Sequence, residues 1–191
     1  MSEPRKKILL AATRRAREGA DVSLRSIATE LNVTPMSIYR HFTDKEALLA
    51  TVVDSGFQLL TEYLARRTGR KHRVLGVIGH FLDFALEEPR LYELMFLQRR
   101  KNVRIFPRDF AAHRSIAFDV LRNAVIEEMA DGRMRRDNDL ETTLTIWAHA
   151  HGLISMFTLG RFGDDQAAFR RLYDRSMQRL YRGIAQPGGT R

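Results

Sequence analysis

The chain has 191 residues, 44% of them hydrophobic, with a formal net charge of +9, which suits one or two small domains with a real core and favours polyanionic partners. It has no cysteine, which excludes disulfides and thiolate metal sites and fits a reducing cytoplasm. Nowhere do about 18 apolar residues run together, so no membrane span is expected. Helical periodicity dominates, and no alternating β-branched run is long enough for a sheet, so the expected fold is all-α. Pro4 opens a first helix and Gly19 closes it, with Ile8, Leu9, Ala12 and Ala16 facing inward. A second helix starts at Ser23, a suitable N-cap, and runs through Leu24, Ile27, Ala28 and Leu31. Asn32 then sits where the chain should enter the left-handed region, which Asn tolerates best after Gly. Thr34 caps a third helix, with Pro35 in its first turn, where a missing N–H costs nothing. That helix ends near Phe42, giving about eight residues and a length of roughly 12 Å. Thr43 opens a fourth through a capping box, Thr43-Asp44-Lys45-Glu46, and the helix runs to about residue 66.

The stretch "RRTGRKHR", residues 66–73, is the candidate linker. Amphipathic helices are expected beyond it over about residues 74–88, ended by Pro89, then 90–97, 107–130, 138–159 and 164–185. The tail "QPGGTR" is expected to fray.

Ala28, Asn32 and Ile38 stand at relative positions 0, +4 and +10, the spacing of a helix-turn-helix. A small Ala28 permits a tight crossing, Asn32 makes the turn, and Val33 and Ile38 bury the joint. Ile38 and Phe42, four apart, pin the third helix from one side and leave the rest of it facing outward. A helix of about 12 Å matches the width of the DNA major groove. Pro35 and Met36 suit a thymine methyl and Ser37 a base edge, while Tyr39, Arg40 and His41 point to the flanking phosphates. Lys45, in the first turn of the fourth helix, can grip a phosphate together with the exposed N–H groups there. Thr34 can add a hydroxyl contact and Arg25 a further cation. The competing interpretation is a short connecting helix with a polar surface.

In the C-terminal half, His149 and His151 are two apart on a helix, about 200° from one another, and cannot share a metal ion. There is no Gly-rich phosphate loop, no carboxylate pair beside a histidine and no nucleophile elbow, so neither an enzyme nor a cofactor is expected. Trp147 and His151 are four apart and share a face. That face either lines a pocket, with Phe81, Phe110 and His113 as further candidates, or packs the core. Phe84, Tyr92, Met95, Phe96, Phe118 and Met156 complete an aromatic and methionine inventory that is mostly core. The basic stretch "QRRKNVRIFPR", residues 98–108, reads as a solvated loop, the alternative being the lining of a pocket for an anionic ligand. Leu153, Phe157, Phe169, Leu172, Met177 and Leu180 exceed what a thin bundle buries alone, which points to a dimer through the last two long helices.

The segment "SLRSIATELNVTPMSIYRHFTDKEALL", with "ILLAA" ahead of it, closely resembles the DNA-binding domain of TetR-family transcriptional regulators over about residues 5–50. Two positions depart from the family pattern: Asn32 stands where the turn residue is usually Gly, and "RRAREG" lacks the usual Phe. The resemblance implies phosphate contacts at Tyr39, His41 and Lys45 and base reading at Pro35, Met36 and Ser37. "EEPRLYELMF" and "IWAHAHGLISM" are similar to a C-terminal subtype with a Trp–His–Gly signature, here Trp147, His151 and Gly152. The organisation it implies is a helix-turn-helix domain over 1–50, its last helix continuing to about 66, then a helical effector-binding and dimerisation domain over 67–191. The expected function is that of a cytoplasmic homodimer on double-stranded operator DNA, a repressor released by a small-molecule effector. The alternative is a constitutive dimeric DNA-binding protein without a ligand.

Overall fold

The computed structural model describes residues 2–67, 72–99, 101 and 103–185. Ten α-helices account for most of them: α1 (Glu3–Glu18), α2 (Leu24–Glu30), α3 (Pro35–Tyr39), α4 (Lys45–Leu64), α5 (Arg73–Glu87), α6 (Pro89–Tyr92), α7 (Arg108–Ala111), α8 (Ile116–Ala130), α9 (Asp139–Thr158) and α10 (Gln166–Ile184). α6 passes directly into a π-helical turn, Glu93–Leu97. The all-α architecture is as expected, with an isolated bridge between Met134 and Ala185 as the extended pairing among the described residues. Half of the expected linker (68–71), the tail after residue 185, and two positions of the basic 98–108 stretch lie outside the described residues. No described helix is long and apolar enough to cross a membrane.

The chain divides into two compact units, Met1–Leu59 with Glu88–Arg99, and Leu60–Glu87 with Arg100–Arg191. The first thus takes in a segment that lies far along the sequence, within the stretch 67–191. In this N-terminal unit Pro4 opens α1 and Gly19 ends it at φ 71°. Ile8, Ala12 and Ala16 face the core, and Leu9 is half-buried. Glu30 accepts from Arg14 at 2.5 Å and Arg15 at 3.2 Å, which ties α1 to α2. α6 packs on α1, where Arg17 grips Glu88 with two hydrogen bonds, that from Nε being 2.6 Å. The π-turn lies against α4 at Gly56. A Cβ there would stand 2.6 Å from the Met95 sulfur and 3.2 Å from a Leu91 methyl, so any larger residue would force the Met95 side chain to shift. Pro89, expected to end the preceding helix, also opens α6 from its first turn.

The C-terminal unit is a bundle in which α5 packs on α8, α9 and α10. α5 buries residues on nearly every side, from Val74 to Ala85. Tyr173 donates to the Ile78 carbonyl at 3.0 Å, and Arg170 meets Asp83 at 2.6 Å. Glu128 is fully buried and draws three helix ends together. It accepts from the Val74 N–H at 3.1 Å and from the Tyr181 hydroxyl, whose oxygen also lies 2.9 Å from His72 Nδ1. Burial, and then the bond to Glu128, push the Tyr181 phenol well above its ordinary range.

The single helix expected over 107–130 is broken. His113 adopts φ 54°, and the chain turns between α7 and α8. Asp109 organises that turn: it accepts from the Ile105 N–H at 2.7 Å and pairs with Arg108 at 3.1 Å and Arg114 at 3.0 Å. Its carboxyl is held down to about 2 by Arg108 first and then by the Ile105 N–H. α9 and α10 start where expected, with Asn138 accepting from the Glu141 N–H at 3.1 Å and Asp165 from the Ala168 N–H at 2.9 Å.

Candidate functional site

The N-terminal unit presents α3 through three local devices. Ser23 caps α2 in a reciprocal box with Ser26, each backbone N–H meeting the other hydroxyl at 3.1 Å. Asn32 turns the chain at φ 52°, the left-handed geometry its short amide side chain tolerates. The Val33 N–H then closes on the Ala28 carbonyl at 3.0 Å. Ala28 is 1% exposed and lets α2 and α3 cross closely. Ile38 and Phe42 are 1% and 3% exposed and anchor α3 from beneath. Val33 does not share that burial: it is 43% exposed, since the turn directs it away from the joint.

α3 is shorter than the expected eight residues, because a tighter bond from His41 N–H to Ile38 O ends the regular helix at Tyr39. The Phe42 N–H still reaches the Ile38 carbonyl at 3.1 Å, so the last turn keeps a helical bond. Pro35, Met36, Tyr39 and Arg40 are exposed along the outer face, and Ser37 and His41 are half-buried. Met36 is 66% exposed, a large apolar side chain held in water by a firmly anchored helix. Thr34 was expected to cap α3 with its hydroxyl. Instead that oxygen lies 3.0 Å from the Ser37 hydroxyl, which joins two candidate DNA contacts.

α4 starts one residue later than expected. Asp44, not Thr43, caps it by accepting from the Ala47 N–H at 2.7 Å, since a carboxylate is the stronger acceptor at a helix start. Lys45 thereby becomes the first residue of α4, with its ammonium 3.5 Å from Asp21. The Ser23 hydroxyl, and then Lys45, hold the Asp21 carboxyl below the usual carboxylate range. Asp21 and Arg5, whose guanidinium lies 5.1 Å from the centre of the Phe42 ring, are parts of this surface that the sequence did not reveal. Each acts across more than 20 positions, and no local pattern marks them. Arg25, exposed on α2, completes the cationic set.

In the C-terminal unit, four of the five candidate pocket residues belong to one chain of ring contacts. Trp147 stacks on Phe81 with centroids 4.5 Å apart, and Phe118 lies 6.2 Å from Trp147. Phe110 meets Phe118 edge-on at 4.9 Å, and His151 lies 6.4 Å from Phe81. Burial lowers the His151 pKa, which favours a neutral imidazole; Ser155 Oγ is 3.5 Å away. His113 stands apart from these contacts, its side chain 66% exposed and 3.0 Å from Asp119. His149 points the other way along α9, to Ser176 on α10 at 2.9 Å. No group of three or more potential metal ligands occurs among the described residues.

On the outer side of α9 and α10 the surplus apolar side chains divide. Phe169 and Met177 are 2% and 3% exposed and belong to the core of the unit, Phe169 stacking on Phe157 at 4.2 Å. Leu153, Leu172 and Leu180 are half-buried, and Met156 is 46% exposed. A Cβ added at Gly152 would meet nothing within 4 Å.

Two family models match the chain. The one described as "Bacterial regulatory proteins, tetR family" covers residues 8–52, and "Tetracyclin repressor-like, C-terminal domain" covers residues 74–180. Among solved structures, a protein of unknown function from Rhodococcus sp. RHA1 is 25% identical at a TM-score of 0.77, with 97% of each chain covered. A bacterial regulatory protein in the tetR family from Rhodococcus RHA1 is 18% identical at a TM-score of 0.66, over 98% of this chain and 100% of that one. A TetR family transcription regulator from Marinobacter aquaeolei VT8 is also 18% identical, at a TM-score of 0.63 and with 96% of each chain covered. At such identities the last two speak for the fold alone.

Proposed function

The chain belongs to the TetR family of bacterial transcription regulators, and from that premise we propose that it is a homodimeric repressor released from operator DNA by a small-molecule effector. The observation that carries the DNA-reading part is the outer face of α3. Pro35, Met36 and Ser37 sit in its first turn, and Tyr39, Arg40 and His41 at its end, on a helix fixed by Ile38 and Phe42. We assign base contacts to the first three. Phosphate contacts go to Tyr39, Arg40, His41, Lys45, Thr34 and Arg25. Two such faces on a two-fold dimer read two half-sites one helical turn apart. Selection of bound duplexes from a random pool tests this: an enriched palindrome with that spacing is expected, and an unenriched pool defeats the proposal.

The effector is assigned to the neighbourhood of Phe81, Phe110, Trp147 and His151, where a half-buried indole meets a neutral imidazole across stacked rings. An effector releases DNA only if it binds the non-reading state more tightly than the reading one. One observation favours the ligand-free alternative: Phe81 and Phe118 are 0% and 1% exposed, so the middle of the cluster is filled by the protein itself. A thermal-shift screen against cell metabolites separates the two, since a ligand that binds the folded state must raise the melting temperature.

A further inference from the structure

At one end of the C-terminal unit, the residues after α4, the start of α5 and one side of α8 line an open cleft of about 700 Å³. That volume falls within the range of small-molecule sites, roughly 300–1,000 Å³. Four arginines line the cleft, Arg66, Arg67, Arg73 and Arg133, together with Glu127 and Asn123. Arg73 pairs with Glu127 at 2.8 Å, and Arg133 pairs with Asp131. Arg66 and Arg67 have no carboxylate partner among the described residues.

Arg66 is held in place without a counter-charge. Its guanidinium carbon lies 3.5 Å from the centre of the Tyr63 ring. Tyr63 is itself fixed, donating to Glu87 at 2.5 Å and meeting Phe84 edge-on at 5.4 Å. The ring face attracts the cation and orients its plane, and the Tyr63 hydroxyl engages only part of the guanidinium's set of N–H donors, so that others can meet an oxyanion. Guanidiniums keep their charge throughout the physiological range, so a bound anion would supply the counter-charge that Arg66 and Arg67 lack among the described residues.

We propose that this cleft binds a small organic anion carrying at least two oxyanion charges, gripped by Arg66 and Arg67 in fork geometry, with the Asn123 amide as a neutral donor beside them. The site is separate from the aromatic cluster and does not depend on an effector binding there.

Isothermal titration of the full chain tests the proposal, with sodium pyrophosphate and sodium citrate as probes at constant ionic strength. The two probes distinguish phosphate from carboxylate chemistry. Saturable binding of at least one probe is expected, weakened by about tenfold or more in R66Q/R67Q. N123D leaves both arginines in place and sets a carboxylate on an exposed position beside them, so it should weaken binding comparably without disturbing the fold. R40A/K45A, altered only at the DNA-reading face, should bind as the parent chain does. Heats no larger than those of a sodium chloride blank would overturn the proposal. So would binding unchanged in R66Q/R67Q or in N123D, or binding lost in R40A/K45A, which would place the anion on the reading face.

Discussion

The Lys45 ammonium and the Asp21 carboxylate lie 3.5 Å apart at the start of α4, so that the cation already faces an acid. Both side chains are at least half exposed, at 50% and 63%, so the pair contributes little to stability. On the proposed reading of Lys45 as a phosphate contact, its consequence lies in binding: Asp21 would compete with DNA for Lys45 and repel the backbone. Asp21→Asn should therefore tighten operator binding several-fold, with the gain shrinking as salt rises. Fluorescence anisotropy at two salt concentrations measures it; unchanged or weaker binding would mean that Lys45 does not face DNA.

Salt dependence reports the number of phosphates gripped. With Arg25, Arg40 and Lys45 gripping phosphates on each half-site of a dimer, as proposed, about six phosphate charges and a log–log slope of roughly −5 are expected. A slope shallower than about −2 would place these cations away from the duplex.

Base reading and phosphate gripping should separate by mutation. Lys45→Ala should weaken binding to all sequences alike and flatten the salt slope by roughly one unit per half-site. Ser37→Ala should change preference at one base position by about 1–3 kcal/mol. Ser37 shares a hydrogen bond with Thr34, so Thr34→Val should reproduce part of that change. Equal, uniform losses in the Lys45 and Ser37 variants would refute the division of roles.

Position on α10 decides what an introduced charge does. Phe169 is core, so Phe169→Asp should unfold the C-terminal unit. Met156→Asp with Leu172→Asp alters partly exposed positions on α9 and α10 and should leave a folded chain. Sedimentation should then show monomer, and operator affinity should collapse. A folded double variant that stays dimeric would move the interface elsewhere.

The turn before α8 should be sensitive to acid through Asp109. Its folded pKa, about 2, lies below the ordinary value of about 3.9. The stabilisation it brings is therefore full above the ordinary value and is lost as pH falls through about 2. Asp109→Asn should lower the melting temperature at neutral pH, and the difference from the parent chain should narrow between about pH 4 and pH 2. A gap that does not change with pH would show that the charge of Asp109 has no part in holding the turn.

What the sequence revealed was local. Pro4 and Gly19 bound α1, Ser23 capped α2, and Asn32 took the left-handed turn, because each acts through its own backbone and immediate neighbours. The outward row on α3 followed from two buried residues four apart. What stayed hidden depended on distance along the chain. Arg17 finds Glu88 71 positions away, and that pair helps draw Glu88–Arg99 into the N-terminal unit. The break at His113 follows from Asp109 gathering Ile105, Arg108 and Arg114, while the periodicity of 107–130 reads as one helix. Phe169 and Leu172 look alike on a helical wheel, and the stacking of Phe157 and Phe162 on Phe169 is what marks it as core.

Glu128 also sets an order in time. Its partners lie 54 residues upstream and 53 downstream, at Val74 and Tyr181. Until residue 181 has been synthesised the buried Glu128 carboxylate lacks one of these two donors, and a buried charge left only partly satisfied costs free energy, so the closed C-terminal unit is disfavoured until then. The N-terminal unit has all of its chain by Arg99. At about 5–20 residues per second, the remaining stretch of about 80 residues takes roughly 4–16 s. Through that interval each nascent chain carries a DNA-reading head already able to fold, tethered to an open bundle whose apolar faces are exposed to chaperones and to other chains.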